Sequence, residues 1–255
     1  MSVADDLGTP LELTGVRRVV SLVPSLTEAI AYDGRELLVG ATDWCTHPAD
    51  LDVARVGGTK NPDVAAILAL RPDVVIANDE ENKPEHIAQL REQGVAVYVT
   101  APTTVDEAFT SLSRMLPALG LPISAWIEPA RAQLATPIPQ LEGQRMACFI
   151  WRRPWMVLGR DTFAGDMLRR LGLSNVYADS PERYPRADPD LGGREADLIV
   201  LPDEPYAFSA SDGPEAFSGR RCALVSGRHL TWYGPSMVEA RAVLGAALTG
   251  PVRAV

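Results

Sequence analysis

From residue 17 onward, apolar runs of strand length alternate with amphipathic stretches of helix length. A chain that alternates in this way builds parallel sheets, because two parallel strands need a crossover long enough for a helix. Val16 to Val23 reads as the first strand, Leu37 to Thr42 as the second, Asp73 to Ala77 as a buried third and Val95 to Thr100 as the fourth. Between them, Ser25 and Glu28 form a capping box for a helix over Leu26 to Tyr32. Asn61-Pro62-Asp63 opens a helix with Pro at its first position, and Pro84 starts another that ends at Gly94.

The texture changes at Gly120-Leu121-Pro122. Ile123 to Leu134 has helical spacing and is bounded by Pro137 and Pro139, which predicts a stiff helix between two lobes, kinked near Glu128 by Pro129, with two short helices in one continuous domain as the alternative. The strand and helix rhythm then resumes with Met146 to Trp151, a helix from Thr162 capped by Asp161, Leu198 to Leu201, Cys222 to Val225 and a last helix from Met237 to Leu248. No repeat of fixed period is apparent, and Pro181 to Glu195 reads as a long loop. The expected organisation is an N-terminal α/β lobe over residues 1–120, a connecting helix over 121–140 and a C-terminal α/β lobe over 141–255.

Composition narrows the function. A net charge of -9 is wrong for a chain that neutralises phosphates, so nucleic acid is not an expected partner. No apolar run is long enough to span a bilayer, so no membrane insertion is expected. The start, with Asp5, Asp6 and Glu12, lacks the basic and apolar regions of a signal peptide. A cytoplasmic location follows from the sequence as it stands, and a periplasmic or cell-surface one if a leader has been removed. Cys45, Cys148 and Cys222 are odd in number and far apart, which suits reduced buried thiols.

In open α/β sheets, ligands bind outside the carboxyl ends of the strands. The loops expected there carry Trp44, Trp151, Trp155, Tyr184, Tyr206, Trp232 and Tyr233, a set suited to an aromatic-walled pocket. Any one of these rings could equally be a core residue. Ser25 stands at a helix N-terminus, where free N–H groups attract polar ligand atoms. Asn78 and Glu80 follow a strand, and the Asp79-Glu80-Glu81 run suits ligand hydroxyls or amides, although such a run is more often solvated surface. Lys60 closes a Gly57-Gly58-Thr59 turn that lacks the phosphate-loop order, and Arg152 could meet a ligand carboxylate or phosphate, or only a surface acid. Cys45-Thr46-His47 offers two ligand types but too few partners for a metal site, and no catalytic residues stand out: the GxSxG and GxGxxG patterns are absent.

Three segments carry a resemblance: RVVSLVPSLTEAI (Arg18 to Ile30), VGGTKNPDVAAILALRPDVVIANDEEN (Val56 to Asn82) and WRRPWMVLGRDTFAGDMLRRLG (Trp151 to Gly172). They are similar to the periplasmic binding proteins for cobalamin, haem and ferric siderophores, and the resemblance covers nearly the whole chain. Within that family, DEPYAF (Asp203 to Phe208) and LTWYGPS (Leu230 to Ser236) look most like a cobalamin-binding subgroup. The resemblance implies two Rossmann-like lobes with parallel sheets joined by a long backbone helix, and non-catalytic binding in the cleft between them. The implied ligand is a corrinoid first, and a ferric siderophore or haem-like iron chelate second; haem is weakest because no axial His or Tyr stands out. No intrinsic cofactor is implied. An ABC permease is the implied partner if the protein is exported, and the protein is expected to be a monomer. An enzyme or a ligand-responsive sensor using the same cleft is the competing reading. Acidic docking residues are implied on each lobe, with Asp63 matching the first and Glu215 loosely the second.

Overall fold

The computed structural model describes residues 2–192 and 195–250. Its elements run β1 (Ser2–Ala4), β2 (Pro10–Glu12), β3 (Val19–Ser21), α1 (Pro24–Gly34), β4 (Leu38–Ala41), β5 (Ala54–Arg55), α2 (Val64–Ala69), β6 (Val74–Asn78), α3 (Pro84–Glu92), β7 (Val97–Thr100) and α4 (Val105–Ala118). They continue with α5 (Ile127–Gln133), β8 (Arg145–Arg152), β9 (Trp155–Val157), α6 (Phe163–Arg170), β10 (Ser174–Asn175), α7 (Pro189–Gly192), β11 (Leu198–Pro202), β12 (Cys222–Val225), α8 (Gly227–Thr231) and α9 (Met237–Thr249).

Two compact units result. Unit 1 holds Met1–Pro102, Asp106–Ile127 and Tyr233–Pro235, and unit 2 holds Thr103–Val105, Glu128–Trp232 and Ser236–Val255. The sheet of unit 1 is parallel, in the order β5-β4-β3-β6-β7. Strands β3, β6 and β7 are buried at every residue, because a parallel sheet covered on both faces needs continuous apolar runs instead of alternation. One face packs Val20, Val75, Ala77, Val97 and Val99 against Ile67, Ile87 and Leu90 from α2 and α3. The β1–β2 hairpin serves the edge beyond β7: Asp6 N–H donates to Val99 O, and the carboxylate of Asp5 accepts from Val99 N–H and pairs with Arg91. This covers backbone groups that an open edge would leave unpaired.

Unit 2 has the parallel order β10-β8-β11-β12, with β9 folded back antiparallel on β8. Its core joins Ala147, Phe149, Val157, Ile199 and Leu201 to Phe208 and Phe217.

Several boundaries move from their sequence-based positions. The long connecting helix over 121–140 is replaced by α5, seven residues long, with irregular chain on either side. Pro122, Pro137 and Pro139 explain the shortening. Pro129 falls in the first turn of α5, where no intrahelical N–H bond is lost, so the expected kink is replaced by a helix start. The capping box at Ser25 is absent: α1 begins at Pro24 with Val23 as its cap, leaving Ser25 inside the first turn. Thr162, and not Asp161, caps α6 through a 3.2 Å bond from Gly165 N–H; Asp161 takes a left-handed φ of 52° instead. Asp63, and not Asn61, caps α2, accepting from Ala66 N–H. Within the Pro181–Glu195 stretch, α7 forms one short turn, and Gly193 and Arg194 lie outside the described residues.

All three cysteines are buried and unpaired. Burial raises every thiol pKa, that of Cys222 to about 11. The native protein should therefore react slowly with a thiol reagent at pH 8 and yield three thiols per chain once unfolded. A count of one would reveal a disulfide and contradict this core.

Candidate functional site

In unit 1 the chain winds from β3 through β4 to β5 in one direction and through β6 to β7 in the other, so the winding reverses between β3 and β6. Such switch points open a crevice at the carboxyl ends of the strands. Ser25 and Asn78 to Asn82 stand there. The Ser25 hydroxyl belongs to a residue 2% exposed and has no hydrogen-bond partner among the described residues.

Asn78 turns out to be a scaffold for this edge. Its Nδ2 donates to Thr100 O at 3.0 Å and to the Tyr233 hydroxyl at 2.8 Å, while its Oδ1 accepts from the N–H groups of Glu80 and Glu81. Asn82 extends the network, accepting from Asn78 N–H and donating to Thr59 O and Leu22 O. The Lys60 ammonium donates to Glu80 O, and Lys83 holds Asn61 Oδ1, so the Gly57–Asn61 turn is fastened to the loop after β6. Trp44 lies over Gly58, whose added Cβ would stand 3.5 Å from the indole nitrogen, and remains 66% exposed. The loop carrying Trp44 is anchored by Cys45, whose buried thiol contacts the hydroxyls of Thr27 and Thr42, each at 3.1 Å.

Tyr233 corrects the sequence-based placement. Its place in the sequence suggests a pocket wall in the second lobe, but it belongs to unit 1 and is 4% exposed. Its hydroxyl bridges Asn78 and Thr100 Oγ1, both at 2.8 Å, and burial, with Glu81 nearby, pushes its pKa well above the usual phenol value. Gly234 follows, packed so closely on Ser25 O that an added Cβ would come within 2.9 Å.

In unit 2 the winding reverses between β8 and β11. Trp151 and Trp155 lie on strands β8 and β9, not in loops, because Arg153 and Pro154 turn the chain straight into a hairpin. Trp151 is 40% exposed and meets Tyr206 edge-on at 5.7 Å. Trp155 stacks on Phe208 at 5.9 Å and meets Phe149 and Phe217 edge-on, and Phe208 in turn meets the half-buried Tyr206 at 4.7 Å. Arg152 lies 5.3 Å over the Trp155 ring and pairs with both Asp212 and Glu215. Its charge is thus matched by acids within the fold, the alternative to a ligand anion that the sequence leaves open, and Glu215 is correspondingly occupied. The Tyr206 hydroxyl donates to Asp212 at 2.6 Å.

Tyr184 sits beside this edge, in a segment whose neighbours Arg183 and Pro185 accept from Gly159 and Val157 N–H groups. Trp232 is 8% exposed, with the Arg228 guanidinium 5.7 Å from its ring. It is a buried support for Glu204, a residue sequence reasoning missed. Burial raises the Glu204 pKa, and Asp203 adds to this against the hydrogen bond from Trp232 and the charge of Arg228. Gly227 is obligatory beside it, since an added Cβ would lie 2.2 Å from Glu204 Cγ.

Among the described residues no group of three His, Cys, Asp or Glu side chains is placed to hold a metal ion, and no helix is long and apolar enough to cross a membrane. A cavity of about 280 Å³ in unit 1, lined by Leu13, Val16, Leu37, Leu119 and Leu121, opens near the starting ends of β3 and β4, away from the switch point of that unit.

If the Tyr233 hydroxyl holds the unit 1 edge together, Tyr233→Phe should lower the unfolding free energy by about 1 kcal/mol in urea titrations. An unchanged midpoint and slope would show that the bridge contributes nothing net.

No protein-family model matches the chain. It is 26% identical over 177 residues to the vitamin B12-binding protein of Vibrio cholerae serotype O1, a match covering 66% of this chain and 64% of that protein, just under two thirds of the relative's length. It is also 26% identical over 241 residues to the uncharacterized ABC transporter substrate-binding lipoprotein YvrC of Bacillus subtilis, covering 88% of this chain and 77% of the other. Among solved structures, the periplasmic heme-binding protein RhuT from Roseiflexus sp. RS-1 superposes with a TM-score of 0.75 at 22% identity, over 92% of this chain and 98% of that one. The periplasmic vitamin B12-binding protein BtuF of Vibrio cholerae gives 0.68 at 21% identity, over the same shares of each chain. These structures show the fold, an α/β architecture with parallel sheets, and the relatives carry the names of binding proteins.

Proposed function

We propose that this homologue of the vitamin B12-binding proteins is itself a non-catalytic solute-binding protein, which takes up a bulky, partly planar ligand on its strand-edge loops and delivers it to an ABC permease. A corrinoid is the first choice, and a ferric siderophore or haem-like chelate the second. The observation that carries the reading is the pair formed at the switch point of unit 2 by the exposed Trp151 and the half-buried Tyr206, which packs on Phe208 of the Trp155–Phe208 stack. Such a platform offers a ring face and edge for stacking while its own support is already packed, so little ordering cost remains for binding.

Of the twelve residues singled out by sequence, Trp44, Glu80, Trp151 and Tyr206 are the ligand contacts in this reading. Asn78, Lys60, Trp155, Trp232 and Tyr233 act as their supports, and Ser25 offers an unused hydroxyl. Arg152 serves the fold, through Asp212 and Glu215. Tyr184 flanks the unit 2 edge.

Delivery to a permease places the protein outside the cytoplasm, as the words lipoprotein and periplasmic in the names of its relatives suggest. Unpaired cysteines suit that location here, because burial keeps the three thiols protonated and out of reach of oxidants. Asp63, partly committed to capping α2, is the docking acid proposed for unit 1.

Titration with cyanocobalamin, followed by tryptophan quenching corrected for ligand absorbance, tests the reading. Trp151→Ala should weaken binding several-fold, from the loss of one stacking partner worth about 0.5–1.5 kcal/mol. Trp126→Ala, in a buried position just before α5, should lower stability and leave affinity unchanged. Equal affinity of wild type and Trp151→Ala would remove the aromatic platform from the site.

A further inference from the structure

Trp151 and Arg152 are consecutive residues of β8, and a circuit of contacts within unit 2 leaves one and returns to the other. Trp151 meets the Tyr206 ring edge-on at 5.7 Å, the Tyr206 hydroxyl donates to Asp212 Oδ2 at 2.6 Å, and Asp212 Oδ1 pairs with the Arg152 guanidinium. Both ends of the tyrosine are therefore tied to one strand. The carboxylate that closes the circuit is itself anchored. Asp212 and Ser209 exchange backbone hydrogen bonds at 3.0 and 3.3 Å, while Arg152 lies over Trp155 and also pairs with Glu215, which accepts from Gly213 N–H at 2.6 Å. Gly213 is required where this turn passes Phe208, since its φ is 127° and an added Cβ would stand 2.6 Å from the Phe208 ring.

Folding alone does not call for this tether. Tyr206 is half-buried and the Asp212 side chain is 41% exposed, so water can satisfy both groups, and an ion pair this open contributes little to stability. Arg152 would keep Glu215 without it. What the tether adds is orientation. Phe208 supports one part of the Tyr206 ring at 4.7 Å, and the bond to Asp212 fixes the other end, so the ring cannot pivot away from Trp151. A large ring at the surface is thereby held as firmly as a core side chain.

We infer that Asp212, held by Arg152, is a positioning residue of the ligand platform: it fixes Tyr206 at the angle to Trp151 at which a ligand meets both rings, and it keeps the Tyr206 hydroxyl proton for itself, so that the ligand meets the tyrosine through its ring. This rests on the proposed solute-binding function and adds the residue that gives the site its geometry. A ring ordered before binding spares the ligand the cost of ordering it, which is worth about fivefold in affinity.

Cyanocobalamin and hemin are titrated by calorimetry into the full chain, its Asp212→Ala and Tyr206→Phe variants, the double variant and a control, Glu128→Gln, which neutralises an exposed partner of Arg131 in α5. For whichever probe the wild type binds, Asp212→Ala and Tyr206→Phe should each weaken binding about fivefold. The double variant should lose no more than either single one, the mark of a residue that acts through another, and the control should match wild type. A merely structural role would lower the melting temperature and leave affinity alone. Should Asp212→Ala fail to fold, Asp212→Asn takes its place in the cycle: its neutral acceptor bonds the hydroxyl about half as strongly, so a loss of about twofold is expected, with the same failure to add. Wild-type affinity in the folded Asp212 variant overturns the inference and leaves the solute-binding reading intact, as do losses that add in the double variant. A loss confined to Tyr206→Phe also overturns it, because the hydroxyl would then meet the ligand directly. A wild type that binds neither probe overturns both.

Discussion

The position of every candidate site residue depends on a clamp at the far end of the molecule's sheets. Asp73 grips Arg18 through both backbone and side chain, and Asp197 grips Arg145 in the same way. Because strand register has a period of two, a slip by one residue would turn each buried strand inside out. Fixing the first pair therefore fixes which residues emerge at the other end. From the clamp, Val19 pairs with Val74 and Met146 with Leu198, so the loops after β3 and β6 come out side by side in unit 1, as do those after β8 and β11 in unit 2.

Two chemically different edges grow from that common frame. In unit 1, β3 feeds directly into α1, so the switch point is polar and is organised by amide side chains, with Tyr233 supplied from 155 residues beyond Asn78. In unit 2, β8 instead continues into the β9 hairpin, and the aromatic residues of that hairpin occupy the space beside β11. Ser25, in α1, follows the clamped Arg18 by as many residues as Arg152, at the end of β8, follows Arg145, yet one is an unpartnered hydroxyl among the described residues and the other a guanidinium held by two carboxylates.

The alternation of strands and helices was legible in the sequence, since buried parallel strands must be continuous apolar runs and their crossovers amphipathic. Trp44, Glu80, Trp151 and Tyr206 could be placed near strand ends by the same logic. What was not legible depends on contacts distant in sequence. Nothing local marks Tyr233 as part of the first unit, and Arg152 looks available until Asp212 and Glu215 are brought to it. The short α5 is not legible from its helical hydrophobic spacing, because Pro122, Pro137 and Pro139 on either side limit it to seven residues. Glu204 had a readable signal, the match of DLIVLPDE to DVVIANDE, which a search for fixed-period repeats misses because it occurs only twice.

The account claims that binding occurs at the strand ends of each unit, and amide hydrogen exchange with and without cyanocobalamin tests that most directly. It predicts protection in the loops around Ser25, Trp44, Lys60 and Glu80 of unit 1 and around Trp151, Glu204 and Tyr206 of unit 2. Protection confined to the segments lining the small cavity, around Val16, Leu37 and Leu119, would contradict it, as would no protection at saturating ligand.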